Sequence, residues 1–166
     1  MDAAQLSGAG VVIVATVAEV ERARRVAGEV VDPEIPILSI EELGILRDVV
    51  LDGDTVLVTI TPTYSGCPAM RQIEDDLELT LIRAGFARVE IEVAMSPAWT
   101  SDWISPEGHR KLAQFGIAPP TPISQVLCPR CDADAPRMIA RFGSTACKAL
   151  MVCSACGEPF DYFKVF

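Results

Sequence analysis

Apolar residues recur along this chain at two periods, and the switch between them marks out its elements. Over residues 12–31 the spacing predicts a helix, with Val20, Val26, Val30 and Val31 among its apolar positions and Arg22, Arg24 and Arg25 on its wet side. The run Asp32-Pro33-Glu34-Ile35-Pro36 stops it, because each proline disfavours helical backbone in the residue before it. The period then falls to two. Residues 46–51 and 55–61 read as strands joined through Asp52-Gly53-Asp54, and Asp-Gly is a strong hairpin signal. Val56, Val58 and Ile60 alternate with Leu57 and Thr59, as a strand with one buried face requires.

Residues 62–68 (Pro-Thr-Tyr-Ser-Gly-Cys-Pro) form a loop running into a second helix, whose apolar stripe is Met70, Ile73, Leu77 and Leu81 and which ends near Gly85. Pro68 suits its first turn. A third strand over 87–95 alternates Val89, Ile91 and Val93 with Glu90 and Glu92, and Ser105 is placed to cap a last helix over 106–115. Pro119, Pro120 and Pro122 then make a stiff linker. Helix, strand, strand, helix, strand, helix is the order of a small α+β domain with helices on one face of a short mixed sheet.

Residues 125–166 are too few to bury a core of their own, and a metal is the usual remedy. They hold two CxxC pairs, Cys128-Pro-Arg-Cys131 and Cys153-Ser-Ala-Cys156, with 21 residues between them. Each pair sets two thiolates on one tight knuckle, and two knuckles close a tetrahedral four-sulfur site. Gly157 follows the second pair, where a knuckle needs positive φ. The chain thus divides into an N-terminal extension (1–18), an α+β domain (19–118), a proline-rich linker (119–124) and an all-β zinc-ribbon module (125–166).

Charge narrows the partners. Residues 1–124 carry 9 basic and 19 acidic side chains, and 125–166 carry 5 and 4. Ribbons often bind nucleic acid, but this one has no basic stripe to neutralise phosphates, so a protein partner is expected. The apolar run 11–18 is eight residues long, follows Asp2 and precedes Glu19 and Glu21. It is too short to span a bilayer and lacks the basic flank of a signal peptide, so it reads as the start of an amphipathic helix or a partner-facing tail. A cytoplasmic protein with reduced cysteines is expected.

Cys67 stands just before the first turn of the second helix, where free N–H groups favour a thiolate, and Gly66 beside it permits close approach of a ligand or another backbone. Asp32 and Glu34 straddle a proline and could share a metal or a proton; solvated acids at a helix stop are the plainer reading. Cys147 lies between the CxxC pairs but off their spacing, as a small buried hydrophobe of a ribbon strand would. Asp102, Glu107 and His109 cluster near Trp99 and Trp103, though His109 sits on a charged helix and reads as a surface residue. One histidine supports no Ser–His–Asp arrangement, and no phosphate-binding glycine loop occurs, so nothing argues for an independent enzyme.

Residues 32–40 (Asp-Pro-Glu-Ile-Pro-Ile-Leu-Ser-Ile), Leu43-Gly44-Ile45 and residues 61–68 resemble the small domain shared by cytosolic iron–sulfur assembly factors and SufT-type proteins. The run 142–150, the two CxxC pairs and residues 158–164 resemble the PaaD family (also called PaaJ), a component of phenylacetyl-CoA 1,2-epoxidase. The resemblance covers roughly residues 20–166. It implies aerobic phenylacetate degradation, in which a di-iron monooxygenase epoxidises the ring and a flavin and iron–sulfur reductase supplies electrons. The PaaD component is there an accessory that helps to mature or insert a metal centre. By this analogy Cys67 handles iron or a cluster transiently, with Asp32, Glu34 and Cys147 at the same site. Cys128, Cys131, Cys153 and Cys156 hold a structural zinc. The implied partners are the oxygenase or reductase subunits. A non-catalytic subunit that stabilises the oxygenase and a rubredoxin-like electron carrier are the alternatives, and small domains with exposed thiols often form homodimers.

Overall fold

A computed structural model describes residues 16–134 and 136–166. The first helix, α1 (Val17–Gly28), opens on a reciprocal cap: Thr16 accepts the Glu19 N–H and the Glu19 carboxylate accepts the Thr16 N–H. Residues 12–15 of the expected helix lie outside the described residues. Its far end comes earlier than the apolar spacing suggests, because residues 30 and 31 are drawn into backbone pairing with the chain that returns after the prolines. Ile40 donates to the Val30 carbonyl at 2.8 Å, Asp32 donates to Leu38 at 2.9 Å, and Val31 bridges Ser39. The loop is therefore a closed excursion whose apolar members Ile35, Leu38 and Ile40 are buried.

Strands β1 (Leu46–Asp52) and β2 (Thr55–Ile60) pair antiparallel across the expected hairpin. Helix α2 (Ala69–Arg83) crosses over to β3 (Arg88–Val93), which runs parallel to β2 in register from Thr55 opposite Arg88 to Ile60 opposite Val93. The mixed sheet has the order β1-β2-β3. Val56, Val58 and Ile60 share one core with Ala23 and Ala27 of α1 and with Ile73, Leu77 and Leu81 of α2. As an edge strand, β3 leaves Val93 exposed.

Helix α3 (Pro106–Gln114) starts at Ser105, whose hydroxyl accepts the Gly108 N–H at 3.0 Å. It leads into a second sheet made of β4 (Ile117–Ala118), β5 (Pro136–Ala140), β6 (Lys148–Cys153) and β7 (Pro159–Phe163), in the order β4-β7-β6-β5. The proline segment does not hang free. Ile117 and Ala118 pair in parallel with Asp161 and Tyr162, and the Tyr162 hydroxyl donates to the Thr121 carbonyl at 2.6 Å.

The ribbon has its own small apolar cluster around Ala149, Met151, Phe160 and Tyr162, but Cys147 and Phe163 belong to the core of the first domain. Phe163 is 1% exposed, with its ring centroid 6.0 Å from that of Trp99. The Trp99 indole N–H in turn donates to the Leu43 carbonyl at 2.9 Å. Phe163 is thus one of the side chains that fasten the ribbon to the first domain, beside Cys147 in the same core and Phe166 on the other contact with Trp99. Phe163→Ala is expected to cost about 3–5 kcal/mol, read as a fall in the urea midpoint with Trp99 fluorescence as the probe. An unchanged midpoint would show that the two sheets are stabilised separately.

Candidate metal centre and thiol cavity

The four ribbon cysteines converge. Cys128 and Cys156 sulfurs are 3.8 Å apart, those of Cys131 and Cys153 are 3.6 Å apart, and all four lie within 4.8 Å of one another. Sulfurs about 2.3 Å from a tetrahedral centre sit about 3.8 Å from each other, so the donor set fits a four-coordinate metal. Both knuckles have the expected turn: Asp132 donates to the Cys128 carbonyl and Gly157 to the Cys153 carbonyl, each at 2.9 Å. Gly157 has φ of 78°, while the first knuckle achieves φ of 57° with Asp132. Aspartate tolerates that region through its short polar side chain, which is why the sequence flagged one knuckle and not the other. The Cys156 N–H, with that of Ala155, draws the Cys153 thiol down to about 7, while its neighbour Cys131, against the pull of the Ala133 N–H, is pushed up to about 12 by hydrogen bonds with the other thiols. Arg130 pairs with Glu158 across the two knuckles.

The remaining two cysteines meet elsewhere. Cys67 and Cys147 line one enclosed cavity of about 20 Å3, with Asp32, Glu34, Thr63 and Thr145 on its walls and Phe163 closing it. That is room for roughly one water molecule. The closed loop after α1 supplies the carboxylates, the loop before α2 supplies Cys67, and the turn before β6 supplies Cys147. Asp32 is 7% exposed, and its Oδ1 accepts the N–H groups of Glu34 and Ile35 at 2.8 Å each. Burial still pushes its pKa up, the two N–H bonds and Lys148 notwithstanding. The Thr145 hydroxyl stands 3.0 Å from the Cys147 sulfur. Burial pushes the Cys147 thiol up, and the charge of Cys67 adds to it, while Thr145 and Lys148 pull the other way.

Cys67 departs from its expected state. It lies two residues before α2, with Pro68 at the cap. The Ala69 N–H does reach its sulfur and lowers its pKa, but burial outweighs that bond, and the charges of Asp32 and Glu34 oppose ionisation further. The thiol is held up, not down. Gly66 takes φ of 81° with nothing within 4 Å of where a Cβ would sit, so the turn needs its backbone freedom and no other backbone approaches it.

The four side chains singled out in the sequence, Asp32, Glu34, Cys67 and Cys147, therefore share one cavity. Sequence reasoning missed Thr63, Thr145, Tyr64 and Lys148. Burial pushes the Tyr64 hydroxyl up, and the charges of both Cys67 and Cys147 add to it. Lys148 is 4% exposed, with Nζ 3.4 Å from Asp161 Oδ2. It follows Cys147 directly, yet nothing in the sequence marks a lysine for burial. Asp102, Glu107 and His109 do not join the thiols: Glu107 pairs with Arg110, while Asp102 and His109 line a separate groove.

Removing the metal with a chelator, or replacing the buried ligand Cys128 by Ser, is expected to unfold residues 125–166, because metal binding of order 10 kcal/mol supplies the folding energy of such modules. Far-UV circular dichroism and limited proteolysis report it, and a protease-resistant metal-free ribbon would refute it. For Asp32, a pKa raised on folding means that its contribution to stability is most favourable at low pH and is lost as pH rises through the folded pKa. Asp32→Asn keeps an acceptor for both N–H groups and cannot ionise. Its urea midpoint should exceed that of the unmodified protein at pH 8, with the advantage shrinking as pH falls through the carboxylate range.

Comparison with known proteins matches both parts. A family model described as iron-sulfur cluster assembly protein matches residues 21–93, and one described as PaaD zinc beta ribbon domain matches residues 118–164. The chain is 43% identical over 143 residues to the Escherichia coli (strain K12) protein provisionally named as the D component of 1,2-phenylacetyl-CoA epoxidase, covering 82% of this chain and 87% of that one. It is 36% identical over 78 residues to the Staphylococcus aureus (strain USA300) Fe-S protein maturation auxiliary factor SufT, covering 46% of this chain and 88% of the relative. A crystal structure of a domain of unknown function, DUF59, from Bacillus anthracis superposes with a TM-score of 0.53 at 28% identity, covering 57% of this chain and 92% of that one. With an assembly-type domain and a PaaD ribbon in one chain, and 43% identity to the Escherichia coli epoxidase component over most of both lengths, this chain belongs to the PaaD family.

Proposed function

We propose that this chain is a non-catalytic accessory subunit of a phenylacetyl-CoA epoxidase, and that it helps to deliver iron or an iron–sulfur cluster to a metal centre of its partner subunits. The observation that carries the reading is the meeting of Cys67 and Cys147 with Asp32 and Glu34 in one cavity. One thiol comes from the assembly-type domain and the other from the ribbon, so the site exists only when both are docked. Sulfur and carboxylate donors together suit iron. The cargo is a substrate here, held between the two sulfurs and passed on.

The ribbon has a different task. Its four thiols are the closed ligand set of a structural zinc site, with no open position for chemistry. A zinc ribbon is colourless, whereas the same ligands around ferric iron would colour the protein red and favour the electron-carrier reading. No helix among the described residues is long and apolar enough to cross a membrane. Free thiols at six positions suit the reducing cytoplasm, where we place the protein.

The test is genetic and analytical together. In cells carrying all the other epoxidase subunits, Cys67→Ser and Cys147→Ser should each lower ring epoxidation and the iron content of the purified partners by about tenfold or more, the scale on which even outer-shell partners matter at metal sites. Both variants should stay folded and zinc-loaded. Normal activity and iron in both would sink the thiol mechanism and leave a stabilising subunit as the function.

A further inference from the structure

A wide concavity lies away from the thiols. It is an open groove of about 970 Å3 between α3, the proline segment and the outer side of the ribbon. Arg141 and Phe142 follow β5 into it, Lys164 follows β7, and Ile123 and Val165 line it from either end. Phe142 is 67% exposed, and Lys164 Nζ stands 4.6 Å from its ring centroid. In a chain of net charge −9, Arg141, Lys164 and His109 face this groove against a single carboxylate, Asp102.

We infer that this groove docks a segment of a partner protein in which acidic residues flank large apolar ones. Carboxylates of that segment meet Arg141 and Lys164, and its apolar side chains cover Phe142, Ile123 and Val165. The open rim and the exposed apolar residues suit a peptide chain better than an enclosed small molecule. The placement also serves the thiol site. Phe163 closes the thiol cavity while its neighbours Tyr162 and Lys164 line the groove, and the Lys164 N–H donates to the Cys147 carbonyl at 2.9 Å. A segment seated in the groove lies one strand away from Cys147. The inference rests on the reading of the chain as an accessory of the epoxidase, and the partner sought is one of the other epoxidase subunits.

The experiment places a photo-crosslinking p-benzoylphenylalanine at Phe142, or at Val50 as a control on exposed β1, in the full chain produced with those subunits. Crosslinked peptides are identified by mass spectrometry. The expected result is a crosslink from position 142, absent from position 50, to one segment of one subunit that carries clustered Asp or Glu beside large apolar residues. Arg141→Glu with Lys164→Glu should cut its yield about tenfold or more, the effect of opposing rather than matching interface charges. Arg141→Gln with Lys164→Gln decides the matter if the reversed variant does not fold. Equal crosslinking from position 50, no crosslink, a target without acids, a second copy of this chain, or indifference to charge would each overturn the inference. So would a small organic anion retained in the groove in native mass spectra. The same crosslink in the Cys67→Ser background separates the two readings, since docking should persist there whether or not the thiols handle iron.

Discussion

Phe163 and Cys147 carry the ribbon into the core of the α+β domain, and the thiol cavity forms where they meet it. The Phe163 ring packs on Trp99, whose indole N–H donates to the Leu43 carbonyl. The Lys164 N–H bond to the Cys147 carbonyl fixes the turn that carries the thiol. Behind this contact stands the metal, since a module of this length cannot hold three strands together by apolar burial alone. The four knuckle thiols shape the ribbon, the ribbon presents Phe163, and Phe163 closes the cavity. The ribbon's metal site and the proposed iron handling are thereby linked through packing, although the two sites share no residue.

The cavity is costly to build. Two carboxylates and two thiols face a volume the size of one water, and desolvation penalises the ionised forms of Asp32, Cys67 and Cys147. Lys148 is the nearest compensation: it pulls down both Asp32 and Cys147 while its ammonium is paired with Asp161. A fold selected for stability alone would fill this place with apolar side chains, since replacing buried charge by well-packed hydrophobes is often neutral or stabilising. Asp32 instead remains, accepting two backbone N–H bonds that fix its orientation. The same two bonds fix the turn after α1, and on the proposed reading they aim the carboxylate at the cavity.

Much of this was legible in the sequence, for identifiable reasons. Period-two alternation marked β2, whose Val56, Val58 and Ile60 are all buried, and the 3.6-residue stripe marked α2 through Ile73, Leu77 and Leu81. The CxxC spacing predicted which four thiols converge, because two residues between thiols leave little choice of geometry. What local pattern could not supply was anything decided across the chain. The end of α1 moved because Val30 and Ile40 pair, Ile117 and Ala118 joined a sheet whose other strands lie up to about forty residues on, and Lys148 went inside because Asp161 met it there. The thiol of Cys67 runs against its helix-start expectation for the same reason: a helix start is a local feature, whereas the burial that overrides it comes from segments far apart in the chain.

The cysteines of the two sites sit in different surroundings, and that contrast bears on what each could do. In the ribbon, backbone N–H groups bring Cys153 to about 7, while Cys131, against the pull of the Ala133 N–H, is pushed up to about 12 by hydrogen bonds with the other thiols. In the cavity, Cys67 and Cys147 are both raised above the ordinary thiol value, each by burial first and then in part by the charge of neighbouring groups. Their burial favours the protonated thiol over the thiolate. A metal entering there must drive off two protons, and those protons compete to return when a partner offers better ligands. On the proposed reading, burial that disfavours the thiolates loosens the hold on a metal. The burial that defeats the helix-start expectation for Cys67 is then itself part of the proposed function, because it lowers the affinity that would otherwise trap the cargo.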